Sequence, residues 1–302
     1  MTIGSVVSTG STGGGHRPGR AGIAVRCQNV VHIYTTVAGH DVVALRGVNL
    51  DIAPGEQVAL LGPSGSGKST LLGLFGGLQR ASAGKVVVDG VDISRIPESE
   101  LTKLRAGKVA SLLQGARRNL LTYATATGNV EFARRGMSAS EVRELPSPRQ
   151  LLDLLGLGEL ADQSVNAMSG GEQQRVALAV TVSSGAGLLL CDEPTSQLGH
   201  TDRDVMVDLI QRVNAELGTT VVIVTHDPDI ANRIPRRITI RNGRIGSEGV
   251  HGRDYAVIDQ DGAVHLPEEW IQDYPPGSLV EFEETEDGFY VRRVDRAPGD
   301  AR

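Results

Sequence analysis

Apolar positions in this chain fall into short runs whose periodicity changes along the sequence. Val58, Ala59, Leu60 and Leu61 are all apolar, as are Leu188, Leu189, Leu190 and Cys191, and again Val221, Val222, Ile223 and Val224. Unbroken runs of this length read as strands buried on both faces, the pattern of a parallel sheet covered by helices. A helical pattern over residues 202–217, stopped by Gly218, lies between the last two runs, so strand and helix alternate as in an α/β fold. Residues 23–31 and 42–50 instead alternate with turn signals and predict a small separate sheet ahead of Pro54 and Gly55. Residues 84–88 read as a further strand closed by Asp89-Gly90, and Asn242-Gly243 predicts a two-residue hairpin within residues 238–245. The stretch from about 97 to 160 has helical character, with Gly156 and Gly158 as stops after Leu151, Leu152, Leu154 and Leu155.

The first buried run opens onto Gly62, Pro63, Ser64, Gly65, Ser66, Gly67, Lys68, Ser69 and Thr70, which fit the phosphate-loop pattern G-x-x-x-x-G-K-[ST] without a mismatch. Glycines let backbone N–H groups close around phosphate oxygens, and the helix that follows adds unpaired donors at its positive end. Lys68 is placed to reach the β- and γ-phosphates, and the Ser69 hydroxyl to bind Mg²⁺. Asp192 and Glu193 end the second buried run, on the rim where α/β sheets bind ligands: Asp192 is a metal candidate and Glu193 a candidate base toward water. Other positions are ambiguous on local pattern alone. Tyr34 either stacks on a purine or packs at a strand edge. Gln114, just past the apolar residues 109–113, is a metal or water ligand or a surface residue. His226, after the third run, either holds a γ-phosphate and water or is structural. Ser169 and Glu172 have capping-box spacing around Gly170 and Gly171, which fits an anion-binding helix start or an ordinary cap.

Composition narrows the classes. With 302 residues, one or two domains and a sizeable core are expected. A formal charge of −6 argues against an extended basic nucleic-acid surface. That charge is concentrated: residues 251–302 carry five basic and thirteen acidic residues, against twenty-five and twenty-three elsewhere, which places a composition break near 250. Two cysteines, Cys27 and Cys191, are too few for a disulfide framework and fit a reducing setting. No run reaches the roughly 18 apolar residues of a membrane span. Residues 1–22, rich in Gly, Ser and Thr without an early basic cluster, are expected to be a disordered tail rather than a signal peptide.

These segments stand in one order that resembles the nucleotide-binding domain of ABC-type ATPases over residues 23–249. The resemblance implies a P-loop NTPase (RecA-like) α/β core with an antiparallel β subdomain and an α-helical subdomain, using ATP and Mg²⁺. It assigns Tyr34 as the adenine-stacking aromatic, residues 62–70 as the Walker A loop and Gln114 as the Q-loop residue. Residues 168–173 become the signature motif, Asp192 and Glu193 the end of Walker B, and His226 the switch histidine. It further implies head-to-tail pairing, in which Ser169, Gly170, Gly171 and Glu172 of one copy cover ATP held by the other, as a homodimer or with a related ATPase subunit. The segment Gly170-Gly171-Glu172-Gln173-Gln174-Arg175, together with Asn119, Leu120, Leu121, Thr122, Asn129, Val130 and Glu131, is similar to the macrolide-export and lipoprotein-release branch, as are residues 43–48. Members of that branch work with a separate integral membrane permease, which implies a cytoplasmic protein held peripherally at the inner face of the membrane. Two positions depart from the pattern: Met168 replaces Leu, and Gly199 stands where the D-loop ends in Asp, which questions fast hydrolysis. The competing expectation is a soluble ABC-type regulatory ATPase acting on DNA or protein. Residues 250–302 resemble an AbrB-like swapped hairpin, with strands near 279–282 and 289–294 and a helical turn near 268–274. That likeness implies dimerisation, the alternative being an unrelated small β-rich appendage; a net −8 disfavours nucleic acid.

Overall fold

The computed structural model describes residues 22–35, 39–250, 252–258, 262–264, 266, 270–275, 277–285 and 288–294; the expected N-terminal tail, apart from residue 22, lies outside them. In chain order the elements are β1 (Val25–Thr35), β2 (Asp41–Ile52), β3 (Gln57–Leu61), α1 (Lys68–Phe75), β4 (Ala83–Val88), β5 (Val91–Asp92), α2 (Glu98–Gly107), β6 (Val109–Leu112), α3 (Ala126–Ala133), α4 (Ala139–Arg143), α5 (Pro148–Leu154) and α6 (Gly170–Val182). They continue with β7 (Leu188–Asp192), α7 (His200–Leu217), β8 (Thr220–Thr225), α8 (Pro228–Asn232), β9 (Arg236–Arg241), β10 (Arg244–Val250), β11 (Arg253–Ala256), β12 (Leu279–Thr285) and β13 (Gly288–Val294).

The three unbroken apolar runs are the centre of a seven-stranded sheet ordered β11-β10-β9-β3-β8-β7-β6. Strand β3 pairs in parallel with β8 and β9, and β7 with β8 and β6, so these strands all deliver their C-terminal ends to one rim. Side chains alternate between two cores. Ala59, Leu189, Cys191, Val221 and Ile223 face a cluster that includes Val176 of α6 and Ile210 of α7. Leu60, Leu188, Leu190, Val222 and Val224 face a second cluster with Leu71 and Phe75 of α1. This second cluster also receives Val25, Leu50 and Val86 from the four-stranded antiparallel sheet β2-β1-β4-β5. Burying both faces is what demanded apolar residues through the middle of these strands, while Gln57, Asp192, Thr220 and Thr225 stand at their ends.

Turn chemistry is as the sequence predicts at two hairpins: Asp89 and Gly90 have φ of 52° and 76°, and Asn242 and Gly243 have 50° and 77°. The stretch 97–160 is less uniformly helical than expected. It contains α2, the strand β6, a 3-10 turn over Ala116–Asn119 and three short helices, because residues 109–112 are taken into the parallel sheet. The charge break near residue 250 does not coincide with a break in hydrogen bonding. Strand β11 pairs with β10, and the Val257 N–H donates to the Gly246 carbonyl, so the large sheet continues past 250 to Ala256. The hairpin β12-β13 forms its own two-stranded sheet; the helical turn before it spans 270–273, and the rest of the expected 268–274 segment before Trp270 lies outside the described residues.

Candidate nucleotide site

The loop between β3 and α1 is shaped by three glycines in the left-handed half of backbone space, Gly62, Gly65 and Gly67, with φ of 151°, 77° and 104°. At Gly67 a Cβ would stand 2.6 Å from the Ala44 carbonyl oxygen, and at Gly62 it would run into the Ile240 carbonyl, so neither position accepts a side chain. The loop therefore presents bare backbone at the start of α1, whose first turn carries no acidic residue to compete for its N–H groups. The Lys68 ammonium folds back to donate to the Gly62 and Pro63 carbonyls at 2.6 and 2.9 Å. Burial lowers the pKa of this lysine, while Glu193 and Asp192 oppose the shift. Such an ammonium gains by exchanging neutral carbonyls for phosphate oxygens. The Ser66 hydroxyl is buried with no hydrogen-bond partner, a second polar group inside the loop with bonding capacity to spare.

Strand β7 brings the acids to this loop. The Ser69 hydroxyl donates to Asp192 Oδ1 at 3.1 Å, joining the two proposed metal-side residues. A hydroxyl and one carboxylate suit Mg²⁺, which keeps several waters and takes its remaining ligands from phosphate. No cluster of three or more His, Cys, Asp or Glu side chains with metal-binding geometry occurs among the described residues. Glu193 has φ of 48°, an uncommon conformation for a glutamate. Its carboxylate is bridged by His226 Nδ1 at 2.9 and 3.0 Å. The histidine is reached from the end of β8, one residue before the Asp227 cap of α8.

Tyr34 lies on the opposite wall. Its hydroxyl donates to Gln79 Oε1 at 2.7 Å and lies 3.1 Å from Thr70 Oγ1, while His32 meets its ring edge-on at a centroid distance of 4.5 Å. Gln114 Nε2 donates to Ser196 Oγ at 3.3 Å, tying the end of β6 to the loop after β7. Tyr34, the phosphate loop, Gln114, Asp192, Glu193 and His226 thus line one cleft of about 500 Å³. Gln79, which fixes Tyr34, carried no sequence signal beyond being a polar residue in a loop, whereas Ser196, which meets Gln114, opens the D-loop segment that ends at Gly199.

Ser169, Gly170, Gly171 and Glu172 do not line that cleft. They begin α6 as a full capping box: Ser169 Oγ accepts from the Glu172 N–H at 3.2 Å, and Glu172 Oε2 accepts from the Ser169 N–H at 2.7 Å. Hydrogen bonds that Ser169 donates to it hold the Glu172 carboxyl below the usual range. Within one chain this helix end is built but has no phosphate loop to face.

A family pattern described as ABC transporter matches residues 45–196. The chain belongs to the ABC transporter ATP-binding family. An uncharacterised ABC transporter ATP-binding protein of Methanocaldococcus jannaschii is 36% identical over 233 residues, covering 74% of this chain and 96% of that protein. The macrolide export ATP-binding/permease protein MacB 1/2 of Paracoccus denitrificans is 43% identical over 203 residues, 67% of this chain, but the match spans only 30% of that longer relative. A solved dimer of the archaeal cassette, in a post-hydrolysis state with ADP and phosphate bound, superimposes with a TM-score of 0.64 at 34% identity, covering 76% of this chain and 100% of that one. ABC cassettes bind ATP with Mg²⁺ and hydrolyse it, and the donor set assembled in this cassette suits both the phosphates and the ion. No helix among its described residues is long and apolar enough to cross a membrane.

Proposed function

We propose that this cassette drives a separate integral membrane permease, closing on ATP as a homodimer or with a related ATPase subunit and reopening after hydrolysis. In this reading Lys68 and the loop glycines hold the β- and γ-phosphates, Ser69 and Asp192 hold Mg²⁺ with Gln114 beside them, and Tyr34 carries the adenine. Glu193 takes the proton of the attacking water while His226 fixes its carboxylate and contacts the γ-phosphate. The partner copy supplies Ser169, Gly170 and Gly171, with Glu172 bracing that helix end. The carrying observation is a groove of about 430 Å³ between the loop after β6 and the start of α6, lined by Gln114, Arg117, Arg118, Gln173 and Leu198. This reading assigns the groove to a permease's coupling helix because it joins a cleft residue to the signature helix. The name of the Paracoccus relative joins ATP-binding and permease functions in one longer chain, which supports work with a permease, while the archaeal relative is named as an ATP-binding protein alone. The chain would then sit peripherally on the cytoplasmic face of the membrane.

The acidic C-terminal segment serves self-association in this proposal. Leu279 and Tyr290 stand 49% and 67% exposed on an isolated two-stranded hairpin, an arrangement of marginal stability by itself. The deciding experiment is Glu193→Gln purified with ATP from gently solubilised membranes. A multi-spanning protein that copurifies, and is lost when Lys68→Ala is added, is the expected result. Recovery of soluble protein or nucleic acid alone would replace this reading by a regulatory ATPase.

A further inference from the structure

Strand β9 outruns its neighbour in the sheet. It pairs in parallel with β3 as far as Leu61 opposite Thr239, where β3 gives way to the phosphate loop, but β9 continues through Ile240 and Arg241 to the Asn242-Gly243 turn. The end of β9 and the turn therefore run along the back of the loop. Contact there is close. A Cβ at Gly62 would stand 2.2 Å from the Ile240 carbonyl oxygen, and a Cβ at Gly243 would stand 2.6 Å from that of Ala44 on β2. Gly243 is buried in this contact, while Asn242 beside it is exposed.

Gly243 is bonded on both sides. Its N–H donates to the Ser66 carbonyl at 3.1 Å, and its own carbonyl accepts from the Arg46 N–H of β2 at 2.8 Å, so it pegs the phosphate loop to two sheets at once. Peptide geometry gives the first bond a consequence. The Ser66 C=O and the Gly67 N–H belong to one planar trans peptide and point in opposite directions. A carbonyl held toward the hairpin turns the Gly67 N–H the other way. The two residues are disposed accordingly: Gly67 lines the nucleotide cleft, whereas Ser66, only 4% exposed, does not. The Gly67 N–H has no acceptor among the described residues and stands at the N-cap of α1, where an anion is favoured. Gly67, with φ of 104°, has the freedom to rotate this peptide, so its direction depends on the bond from Gly243.

We propose that Gly243 is a positioning residue for ATP: its N–H fixes the Ser66–Gly67 peptide so that the Gly67 N–H meets the phosphates, and Asn242 supplies the turn that places it. The proposal rests on the reading of residues 62–70 as the phosphate site. Gly243 acts through Ser66 and touches no substrate itself. Its hairpin is anchored, because β9 lies between β3 and β10 in the large sheet.

The test is calorimetric titration of the full chain with tripolyphosphate in the presence of Mg²⁺, a probe that has the phosphates and no base, alongside thermal melts. Gly243→Ala, whose Cβ drives the turn off the loop, should weaken binding by about tenfold or more, the worth of one hydrogen bond to a charged group. Asn242→Val, a β-branched residue that resists the φ of 50°, should weaken it by roughly threefold, a partial loss of the same bond. Asn242→Gly adopts that φ freely and should stay within about twofold of wild type. A turn with a structural role alone would lower the melting temperatures of the first two variants and leave the dissociation constant of the folded protein unchanged, which would overturn the assignment. Lys68→Ala separates this outcome from failure of the underlying reading. Undiminished binding in Lys68→Ala would remove the loop as the phosphate site and the peg with it, whereas weakened binding there beside wild-type binding in Gly243→Ala would overturn the peg alone. If Gly243→Ala does not fold, the Asn242 variants decide, and equal binding by the valine and glycine variants would overturn the proposal.

Discussion

Replacement of Tyr34 by alanine or phenylalanine separates the two things its side chain does. The ring is 38% exposed along the cleft, positioned by an edge-on His32 and by a hydroxyl bonded to Gln79 and next to Thr70. Stacking of a base on an aromatic ring is worth about 1–3 kcal/mol by alanine substitution, so Tyr34→Ala should raise KM for ATP roughly 5- to 150-fold at about 1.4 kcal/mol per decade. The hydroxyl bonds are partly solvated and sit at the low end of the usual range, about 0.5–1 kcal/mol. Tyr34→Phe should therefore raise KM only about two- to fivefold, through a looser ring. Gln79→Leu, which leaves the Thr70 bond in place, should cost no more than Tyr34→Phe, and Tyr34→Phe/Gln79→Leu should cost little more than Tyr34→Phe alone, since the Gln79 bond is lost only once. Steady-state ATPase assays give KM and kcat, and competitive inhibition by tripolyphosphate, which has no base, isolates the phosphate contacts. The inhibition constant and kcat should stay at wild-type values throughout. Tripolyphosphate affinity falling in parallel with KM would refute base stacking and make Tyr34 a support of the phosphate loop through Thr70. Equal effects of Phe and Ala would refute the partition between ring and hydroxyl.

Other outcomes follow from neighbouring geometry. Glu193→Gln should lower kcat by about 10²- to 10⁴-fold, the usual worth of a positioned base, with nucleotide binding retained; a drop under tenfold in single-turnover assays would remove Glu193 from that role. Gly199 caps α7 without a side-chain bond, at φ −66° and ψ 165°, and a Cβ there would meet nothing within 4 Å. Gly199→Asp should thus fold normally, changing stability by only a few tenths of a kcal/mol, and raise steady-state turnover; unchanged turnover would show that Gly199 does not limit it. The carboxyl of Glu172 titrates below its ordinary 4.5 because Ser169 donates to it, so its stabilisation of the α6 start is complete above about pH 4.5 and is lost as pH falls through the depressed value. Glu172→Gln, which keeps capping-box geometry, should flatten that acid limb in thermal melts, and an unaltered limb would locate it elsewhere. Removing residues 259–302, which spares β11, should abolish nucleotide-free self-association in sedimentation analysis while leaving the fold intact; persistence of the dimer would end the C-terminal assignment.

Much of the cassette was legible because burial on both faces leaves the middle of strands β3, β7 and β8 apolar, and because each run ends at candidate site residues. Asp-Gly and Asn-Gly turns were legible for a local reason, the positive φ that these pairs supply cheaply. What stayed hidden depends on tertiary placement. Residues 109–112 carry too short a run to distinguish a strand from the helical stretch around them, and only pairing with β7 settles their form. Gln79 acquires its partner from a residue 45 positions earlier, and the Ser66 carbonyl acquires its own from a turn far later in the chain. Neither bond has a local pattern.

The position of the chemical groups also bears on the proposed pairing of two cassettes. Parallel strands deliver Lys68, Asp192, Glu193 and His226 to one rim, and the glycine loop closes the base of the cleft around them. The start of α6 is equally well built, with two reciprocal cap bonds and glycines at its first two positions, but does not line that cleft. A capped helix start is a common structural device and also a place for an anion; in the proposed pairing that anion is the ATP of a second cassette, and the archaeal relative is dimeric. Hydrolysis should therefore rise with the square of protein concentration in the dilute range, where dimer is scarce. A mixture of Lys68→Ala chains with Ser169→Arg chains should recover one intact composite site per heterodimer, whereas either variant alone should be inactive. If the mixture stayed inactive while both variants still paired, the two sites would have to fire together rather than independently.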